Sequence, residues 1–307
     1  MPFNKIIAIV LLALCQFSCS AMSKQSCSNV RLQVLGSGGP EIDDGLASSS
    51  YLIWIDGKAK IMVDAGGGSS LNYEKSGALF NDLQAILLTH LHVDHSAALP
   101  VYIKAGYFTG RQKTLPVFGP DAGGDFPSTE EFVAALFSDQ QKSAYPYLSD
   151  NFRLKSSTDF LIEAVSIKPN NRVWRKKLNK DILLESINVT HGAIPAVAWR
   201  VNVDKCSISF SGDMNGSSGN LPLLAKGTDL LVANNAIPNN AHPIAKQLHM
   251  TPEKIAEIVS TSHPHKLLLS HFMLRTINKK EQTVSMIKES YHGEVILAKE
   301  FGVIDLN

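Results

Sequence analysis

The stretch Thr89-His90-Leu91-His92-Val93-Asp94-His95 directly follows an apolar run and is the most informative segment of the chain. If the strand end stays extended, His90 and His92 point to the same side, because alternate residues of a strand share a face. Asp94 and His95 follow where the chain turns, so four ligand-type side chains can converge on one small volume. Imidazole and carboxylate together suit zinc, and also iron or manganese, whereas the absence of Cys argues against a closed structural zinc site. The stretch therefore predicts a metal site rather than chance surface histidines.

The segments on either side of this motif alternate between β-rich runs and helical patterns. Residues 83–89 are predicted to form a strand that ends at the histidines, and residues 96–105 the helix that follows, so the motif lies on a strand-to-helix loop. Two β-rich halves with helices outside predict an α/β fold, a four-layer αβ/βα sandwich. The other predicted strands are 31–35, 50–55, 60–63, 182–190, 196–203, 207–211, 230–233 and 266–270, with a hairpin turn at 56–57 and helices at 251–261 and 278–290.

Length and composition are those of a globular protein. The 307 residues are 44% hydrophobic, which can supply a full core. No repeat or Gly/Ser linker divides the chain, so residues 22–307 are predicted to form one hydrolase domain. The formal net charge of +1 comes from scattered residues, which excludes a global basic surface of the kind that binds nucleic acid phosphates. A nucleic acid partner is therefore possible but not favoured.

The N-terminus has the pattern of a targeting segment. An apolar run at 6–15 follows Lys5 and is too short to span a bilayer, so it predicts a signal peptide over 1–21 and no stable membrane span. Cleavage near Ala21 would export a periplasmic or secreted protein. Lipid anchoring at Cys19 is less favoured because the residues before it match a lipoprotein signal poorly. The alternative is a buried N-terminal helix.

Export changes how the cysteines are interpreted. After removal of residues 1–21, Cys27 and Cys206 are the cysteines that remain, and an oxidising compartment would allow them to pair. Two free thiols, with Cys206 buried in a strand, are the alternative. The sequence leaves both open.

The metal motif resembles the signature of the metallo-β-lactamase superfamily, in the branch that contains the tRNase Z enzymes and a group of arylsulfatases. Three further segments resemble that branch in their order along the chain: a Gly-rich turn, a strand ending in Asp and Gly, and a strand followed by a turn. They lie at 35–40, 63–68 and 115–120. The resemblance thus covers most of the chain after the signal peptide and implies the same sandwich fold.

The resemblance also implies a complete ligand set for two divalent metal ions, most often Zn²⁺. His191, Asp213 and His271 match the downstream ligands of the family, each just after a predicted strand. By this resemblance the first ion is bound by His90, His92 and His191, the second by Asp94, His95 and His271, and Asp213 bridges them. Two such ions acidify a bridging water and neutralise charge developing on the substrate, so no nucleophilic side chain is required.

Two residues are assigned catalytic roles. Asp94 is one, and His249, in His249-Met250-Thr251, matches a family histidine that faces the scissile group and could donate a hydrogen bond to it. The chain departs from tRNase Z enzymes at 233–235, where Ala-Asn-Asn replaces their His-Glu pair. Their long tRNA-binding arm is not evident either. The basic stretch at 172–177 is interpreted as a solvated hairpin face rather than a phosphate-binding one.

Export and this departure together favour an exported hydrolase of sulfate or phosphate esters, arylsulfatase-like, acting on a small-molecule ester. The first alternative is a tRNase Z-like RNA phosphodiesterase. The second is a zinc-binding protein of the same fold without turnover. The sequence does not determine the oligomeric state, and the resemblance is compatible with a homodimer.

Overall fold

Strand β2 shows how this sequence forms layers. All six of its residues, Ser50–Ile55, are buried. Successive side chains of a strand point to opposite faces, so a fully buried strand needs cover on both sides. Tyr51 and Ile53 join the apolar cluster between the two sheets, whereas Leu52 and Trp54 join a second cluster beneath helices. The sheet is therefore an inner layer with helices outside it.

The structure, a computed structural model, describes residues 27–139, 142–151, 160–170 and 172–307. In these residues the strands form two seven-stranded sheets, in the orders β14-β1-β2-β3-β4-β5-β6 and β13-β12-β11-β10-β9-β8-β7. The first sheet contains β1 (Val30–Gly36), β2, β3 (Lys58–Val63), β4 (Ala85–Leu87), β5 (Leu115–Pro120), β6 (Ile162–Ile167) and the final strand β14 (Val303–Asp305). The second contains β7 (Trp174–Lys177), β8 (Ile182–His191), β9 (Ile194–Val203), β10 (Cys206–Phe210), β11 (Leu230–Asn234), β12 (Lys266–Ser270) and β13 (Glu294–Leu297).

Both sheets follow the same plan. Strands β1 to β3 pair antiparallel and β3 to β6 parallel, while β7 to β10 pair antiparallel and β10 to β13 parallel. The helices are α1 (Ser69–Ser76), α2 (Val93–Ser96), α3 (Leu99–Gly106), α4 (Thr129–Phe137), α5 (Asn220–Leu224), α6 (Pro243–Leu248), α7 (Pro252–Ser262), α8 (Leu274–Ile277) and α9 (Lys280–Lys288). Helices α1, α3 and α4 contribute to the cluster on the outer face of the first sheet, and α5, α7 and α9 pack with strands of the second. The predicted four-layer αβ/βα sandwich is confirmed.

Two predicted elements next to the metal motif are shorter than expected, for identifiable reasons. The strand predicted at 83–89 is limited to Ala85–Leu87, because the backbone N–H of Thr89 donates to the Asp64 side chain instead of a neighbouring strand. The helix predicted at 96–105 is replaced by two helices, α2 and α3. Helix α3 begins at Leu99, and Pro100 is its second residue. Proline has no N–H to continue a helix from the preceding turn, so the two helices stay separate.

Cys27 and Cys206 form a disulfide with Cα atoms 5.9 Å apart. Cys27 precedes β1 of the first sheet, and Cys206 begins β10 of the second. The pairing hypothesis is thus confirmed over that of two free thiols, and the bond joins the two sheets. The predicted signal peptide, 1–21, lies outside the described residues. Within the described residues, no helix is long and apolar enough to cross a membrane.

Candidate metal centre

The candidate ligands come together because the strands that precede them end at the same edge. His191 ends β8, His271 directly follows β12, and Asp213 follows β10. Strands β10 to β12 are parallel, so their carboxyl ends meet on one side of the sheet. The loop of His90 to His95, after β4 of the other sheet, meets them there. The centre is built from both halves of the sandwich.

Asp64, at the end of β3, holds the His90–His95 loop in place. Its Oδ1 accepts a hydrogen bond from the backbone N–H of Thr89 at 2.7 Å, and its Oδ2 accepts from Thr89 Oγ1 at 2.9 Å. Oδ2 also lies 2.7 Å from Nδ1 of His95. Burial disfavours a charged His95, but the Asp64 carboxylate outweighs it and raises the pKa of that imidazole well above its ordinary value. The proton is held on Nδ1, which aims Nε2 at the centre.

The first group of ligand atoms consists of His90, His92 and His191, all within 4.8 Å of one another. Nε2 of His191 lies 3.4 Å from Nδ1 of His92. Nδ1 of His191 donates to the Leu248 carbonyl at 2.7 Å, which leaves Nε2 with its lone pair toward the group. Burial lowers the pKa of each of the three imidazoles, so they are neutral, the form that binds a cation.

The second group consists of Asp94, His95, Asp213 and His271. Nε2 of His271 lies 3.2 Å from Asp94 Oδ2 and 3.4 Å from Asp213 Oδ1. Burial opposes ionisation of both carboxyls, but the imidazoles around them outweigh it and hold the pKa of each below its ordinary range. Carboxylates likewise raise the pKa of His271 against its burial. Cation binding here would displace protons from the two histidines.

Asp213 joins the two groups. Its Oδ2 lies 3.9 Å from Nε2 of His90 and of His191, in the first group, and 3.8 Å from Nε2 of His95, in the second. Its Oδ1 accepts a hydrogen bond from the Asn234 side chain at 2.8 Å. This is where the chain departs from the tRNase Z pattern: a neutral amide stands in place of the expected carboxylate, and it supports Asp213.

Buried ring nitrogens test whether this donor set fits metal ions. Among the described residues, Nε2 of His90 and Nε2 of His95 are buried without a hydrogen-bond partner. A buried polar atom without a partner is costly: Nε2 of His90 lies 3.9 Å from Asp213 Oδ2, and Nε2 of His95 lies 3.4 Å from Asp94 Oδ2 without forming a hydrogen bond. Cations between these atoms would satisfy them. The two groups, with Asp213 shared, therefore fit divalent metal ions.

His249 lies at the edge of this centre, between α6 and α7. Its Nδ1 is 3.6 Å from Asp213 Oδ2, and its ring is 5.3 Å from that of His191 and 5.9 Å from that of His271. Burial lowers the pKa of His249 to about 4, so the imidazole is neutral near pH 7. It also forms a third ligand-type group with His191 and Asp213.

Sequence reasoning missed three contributors: Asp64, the role of Asn234, and Arg275 at the start of α8. Nε of Arg275 donates to the Ala236 carbonyl at 2.8 Å, which fixes the guanidinium close enough to lower the pKa of His249. Asp64 lies in the segment at 63–68, where an acidic residue at the end of a predicted strand was the available signal. Nothing in the local sequence pointed to Arg275.

Three other histidines and the basic stretch lie outside the candidate centre. His242 caps α6, His263 ends α7 in the left-handed conformation, and His265 contacts Asp229. The basic stretch at 172–177 includes β7, an edge strand whose last three residues are exposed. Its interpretation as a solvated face agrees with this placement.

The profile of the Metallo-beta-lactamase superfamily matches residues 43–263, most of the chain. The chain belongs to this superfamily. Among relatives, it is 20% identical over 295 residues to Ribonuclease Z of Clostridium tetani, covering 85% of this chain and 94% of the relative. It is 26% identical over 255 residues to Ribonuclease Z of Mycobacterium sp. (strain KMS), covering 80% and 84%.

Solved structures show the same superfamily fold. The metallo-beta-lactamase fold protein YhfI from Bacillus subtilis has a TM-score of 0.69 at 18% identity, covering 90% of this chain and 98% of that one. The short form of human tRNase Z has a TM-score of 0.68 at 18% identity, covering 90% and 99%. At this identity the likeness concerns the fold alone.

These findings correct one expectation from the sequence. The leading activity, arylsulfatase-like hydrolysis of small-molecule esters, is wrong: relatives that align with most of the chain are named Ribonuclease Z, the class given as the alternative. Superfamily membership and the ligand groups support the broader prediction of a metal-dependent hydrolase.

Proposed function

We propose that this protein is a metal-dependent phosphodiesterase of the ribonuclease Z type that cleaves RNA. The observation that carries the proposal is the pair of ligand groups that share Asp213, with the neutral imidazole of His249 beside them. Relatives named Ribonuclease Z align with 80% or more of the chain, which supports the same chemistry at this site.

The ions are proposed to be Zn²⁺, because the donors are imidazole nitrogens and carboxylate oxygens. The first would be held by His90, His92 and His191, the second by Asp94, His95 and His271, with Asp213 shared. When bound, two such ions supply an activated water nucleophile and neutralise charge on the phosphate oxygens.

The side chains around the ions have separate tasks. Asp64 fixes the tautomer of His95, and Asn234 orients Asp213. Asp94 is ionised, because the imidazoles of His271 and His95 hold its pKa below the ordinary carboxyl range, so we assign it as an anionic ligand of the second ion. His249 is neutral, and we assign to its ring N–H a hydrogen bond to the leaving oxygen, where charge develops. Arg275 adds fixed positive charge on the same side.

We also propose that the protein acts in an oxidising compartment. The Cys27–Cys206 disulfide supports this, since disulfides persist mainly outside the reducing cytoplasm, and the apolar run at 6–15 has the pattern of an export signal. Fractionation followed by thiol labelling tests it. Recovery of a reduced protein of full length from the cytoplasm would contradict it.

Purified protein loaded with Zn²⁺ would be tested on three substrates: a 3′-extended tRNA, an unstructured RNA of equal length, and an aryl sulfate. We expect cleavage of RNA phosphodiesters, loss of that cleavage with a chelator, and no release from the sulfate. Asp213→Ala, which removes the shared ligand, is the inactive control. Failure of the metal-loaded protein to cleave either RNA would refute the proposal.

A further inference from the structure

The turn at 121–128, between β5 and α4, borders the least buried part of the candidate centre. Of the seven metal-ligand candidates, His92 is the one that is only partly buried, whereas the others are 6% exposed or less. The ring of Phe126 lies next to it, with ring centroids 5.8 Å apart and planes at 59°. Phe126 is itself partly exposed. An aromatic ring therefore lies where a substrate group beside the first ligand group would pass.

This turn is held in one conformation by its own backbone. The N–H of Gly123 donates to the Phe126 carbonyl at 3.2 Å, and the N–H of Phe126 donates back at 3.1 Å. Gly124 between them has φ of +57°, which favours glycine. Gly123 packs so closely on Pro195 of the opposite sheet that a Cβ would lie 2.9 Å from the proline ring. The ring of Phe126 is thus placed in advance rather than left on a loose loop.

The charges near the ring indicate which part of a substrate it would meet. Asp121 and Asp125 belong to the same turn, and Asp125 is exposed, so a backbone phosphate is disfavoured there. The fixed cation, Arg275, instead lies near His249. A planar, uncharged group suits the Phe126 side, and phosphate suits the ligand groups and the Arg275 side.

We propose that Phe126 forms a nucleobase subsite: its ring stacks on the base of a nucleotide that flanks the scissile phosphodiester. The inference rests on the proposed function, which it extends by naming the part of the substrate that this side of the centre binds. Aromatic side chains bind single-stranded nucleic acids by such stacking, which is tolerant of sequence because every base has a π face. The ring would then select nucleotides over esters without a planar group.

Binding of a short single-stranded RNA that carries 2-aminopurine beside the cleavage position tests the subsite, because stacking quenches that fluorophore. Quenching is read by stopped flow before cleavage. Phe126→Leu removes the π face and keeps an apolar side chain, and Phe126→Trp keeps the face. Phe108→Leu is the matched control, since Phe108 is 81% exposed at the end of α3. Metal content is measured for every variant.

We expect the wild type, Phe126→Trp and Phe108→Leu to quench the probe, and Phe126→Leu to bind it about 10-fold to 100-fold more weakly with unchanged metal content. An abasic version of the RNA should bind equally to wild type and Phe126→Leu. The subsite is overturned if the wild type does not quench, if Phe126→Leu quenches normally, or if its weaker binding accompanies metal loss, which would mean that the ring only shields His92. Cleavage of the same RNA is scored separately: normal quenching without cleavage counts against the proposed function alone.

Discussion

Replacing Asp64 by Asn tests how the second ligand group is oriented. Asp64 has φ of +57°, and Asn tolerates this left-handed backbone as well as Asp does, so the substitution changes the side-chain chemistry and not the turn. The Asn oxygen can still accept from the backbone of Thr89. The amide nitrogen would then face Nδ1 of His95, where a carboxylate oxygen stood at 2.7 Å.

Two donors would oppose each other at that position, because Nδ1 of His95 must carry the proton if Nε2 is to bind a cation. The Asp64 side chain is only 2% exposed, so solvent cannot replace the lost interaction. Hydrogen bonds to a charged group contribute about 1.5–3 kcal/mol. Loss of such support for a ligating histidine weakens metal binding by about 10-fold to 100-fold, which corresponds to about 1.4–2.7 kcal/mol. The two magnitudes agree.

Metal retention is measured by elemental analysis after dialysis against a series of zinc buffers. Urea unfolding of the same samples gives the free energy of unfolding of each variant. Asp56→Asn is the matched control, because Asp56 also has a positive φ, 51°, but lies at an exposed hairpin turn. We expect Asp64→Asn to lose the second ion, which His95 would hold, at a zinc concentration about 10-fold to 100-fold higher than the control does. Equal retention in the two variants would refute the orientation argument.

Three further predictions follow from the structure. His249→Ala should retain its metal and lose turnover of RNA by about two to four orders of magnitude, with exposed His292→Ala unaffected; normal turnover would remove His249 from the mechanism. Gly39→Ala should weaken metal retention, because its Cβ would lie 2.9 Å from the imidazole of His271. Gly67→Ala is the control and should retain its metal, since its Cβ would lie 3.7 Å from the nearest atom; equal retention in the two variants would contradict the prediction. Cys27→Ser should lower the free energy of unfolding of oxidised protein by roughly 2–5 kcal/mol in urea titrations, given a loop of 179 residues, and an unchanged midpoint would argue against the bond.

The His90–His95 stretch was accessible from the local sequence, because its ligand-type side chains follow directly on an apolar strand. His191, Asp213 and His271 were instead assigned by resemblance to the family, and the structure places them at or just after the carboxyl ends of β8, β10 and β12, on one edge of the sheet. The four-layer sandwich was accessible from the two β-rich halves with helical patterns between them, because local periodicity indicates strands and helices directly.

Other features depend on which residues meet in space, and sequence does not record that. The contact of Asn234 with Asp213 joins side chains 21 residues apart, and the Cys27–Cys206 pair is separated by 179. The expected sulfatase activity relied on export and on the departure from the tRNase Z pattern at 233–235, and neither of these specifies a substrate. The Gly-rich segments at 35–40 and 63–68, which carried part of the family resemblance, form tight backbone turns beside the centre: a Cβ at Gly66 would lie 2.3 Å from the Asp94 carbonyl.

The disulfide and the candidate centre lie at opposite ends of β1 and β10. Each strand begins at or near a cysteine of the disulfide. The loop after β1 contains Gly39, which packs against the ligand His271, and the loop after β10 contains Asp213. The stability of the contact between the two sheets therefore depends on two properties of the surroundings, the free concentration of divalent cation and the thiol redox potential. The protein should be most sensitive to proteolysis when the metal ions are chelated and the disulfide is reduced at the same time. After either change alone, the other link would still hold the two sheets together at one end.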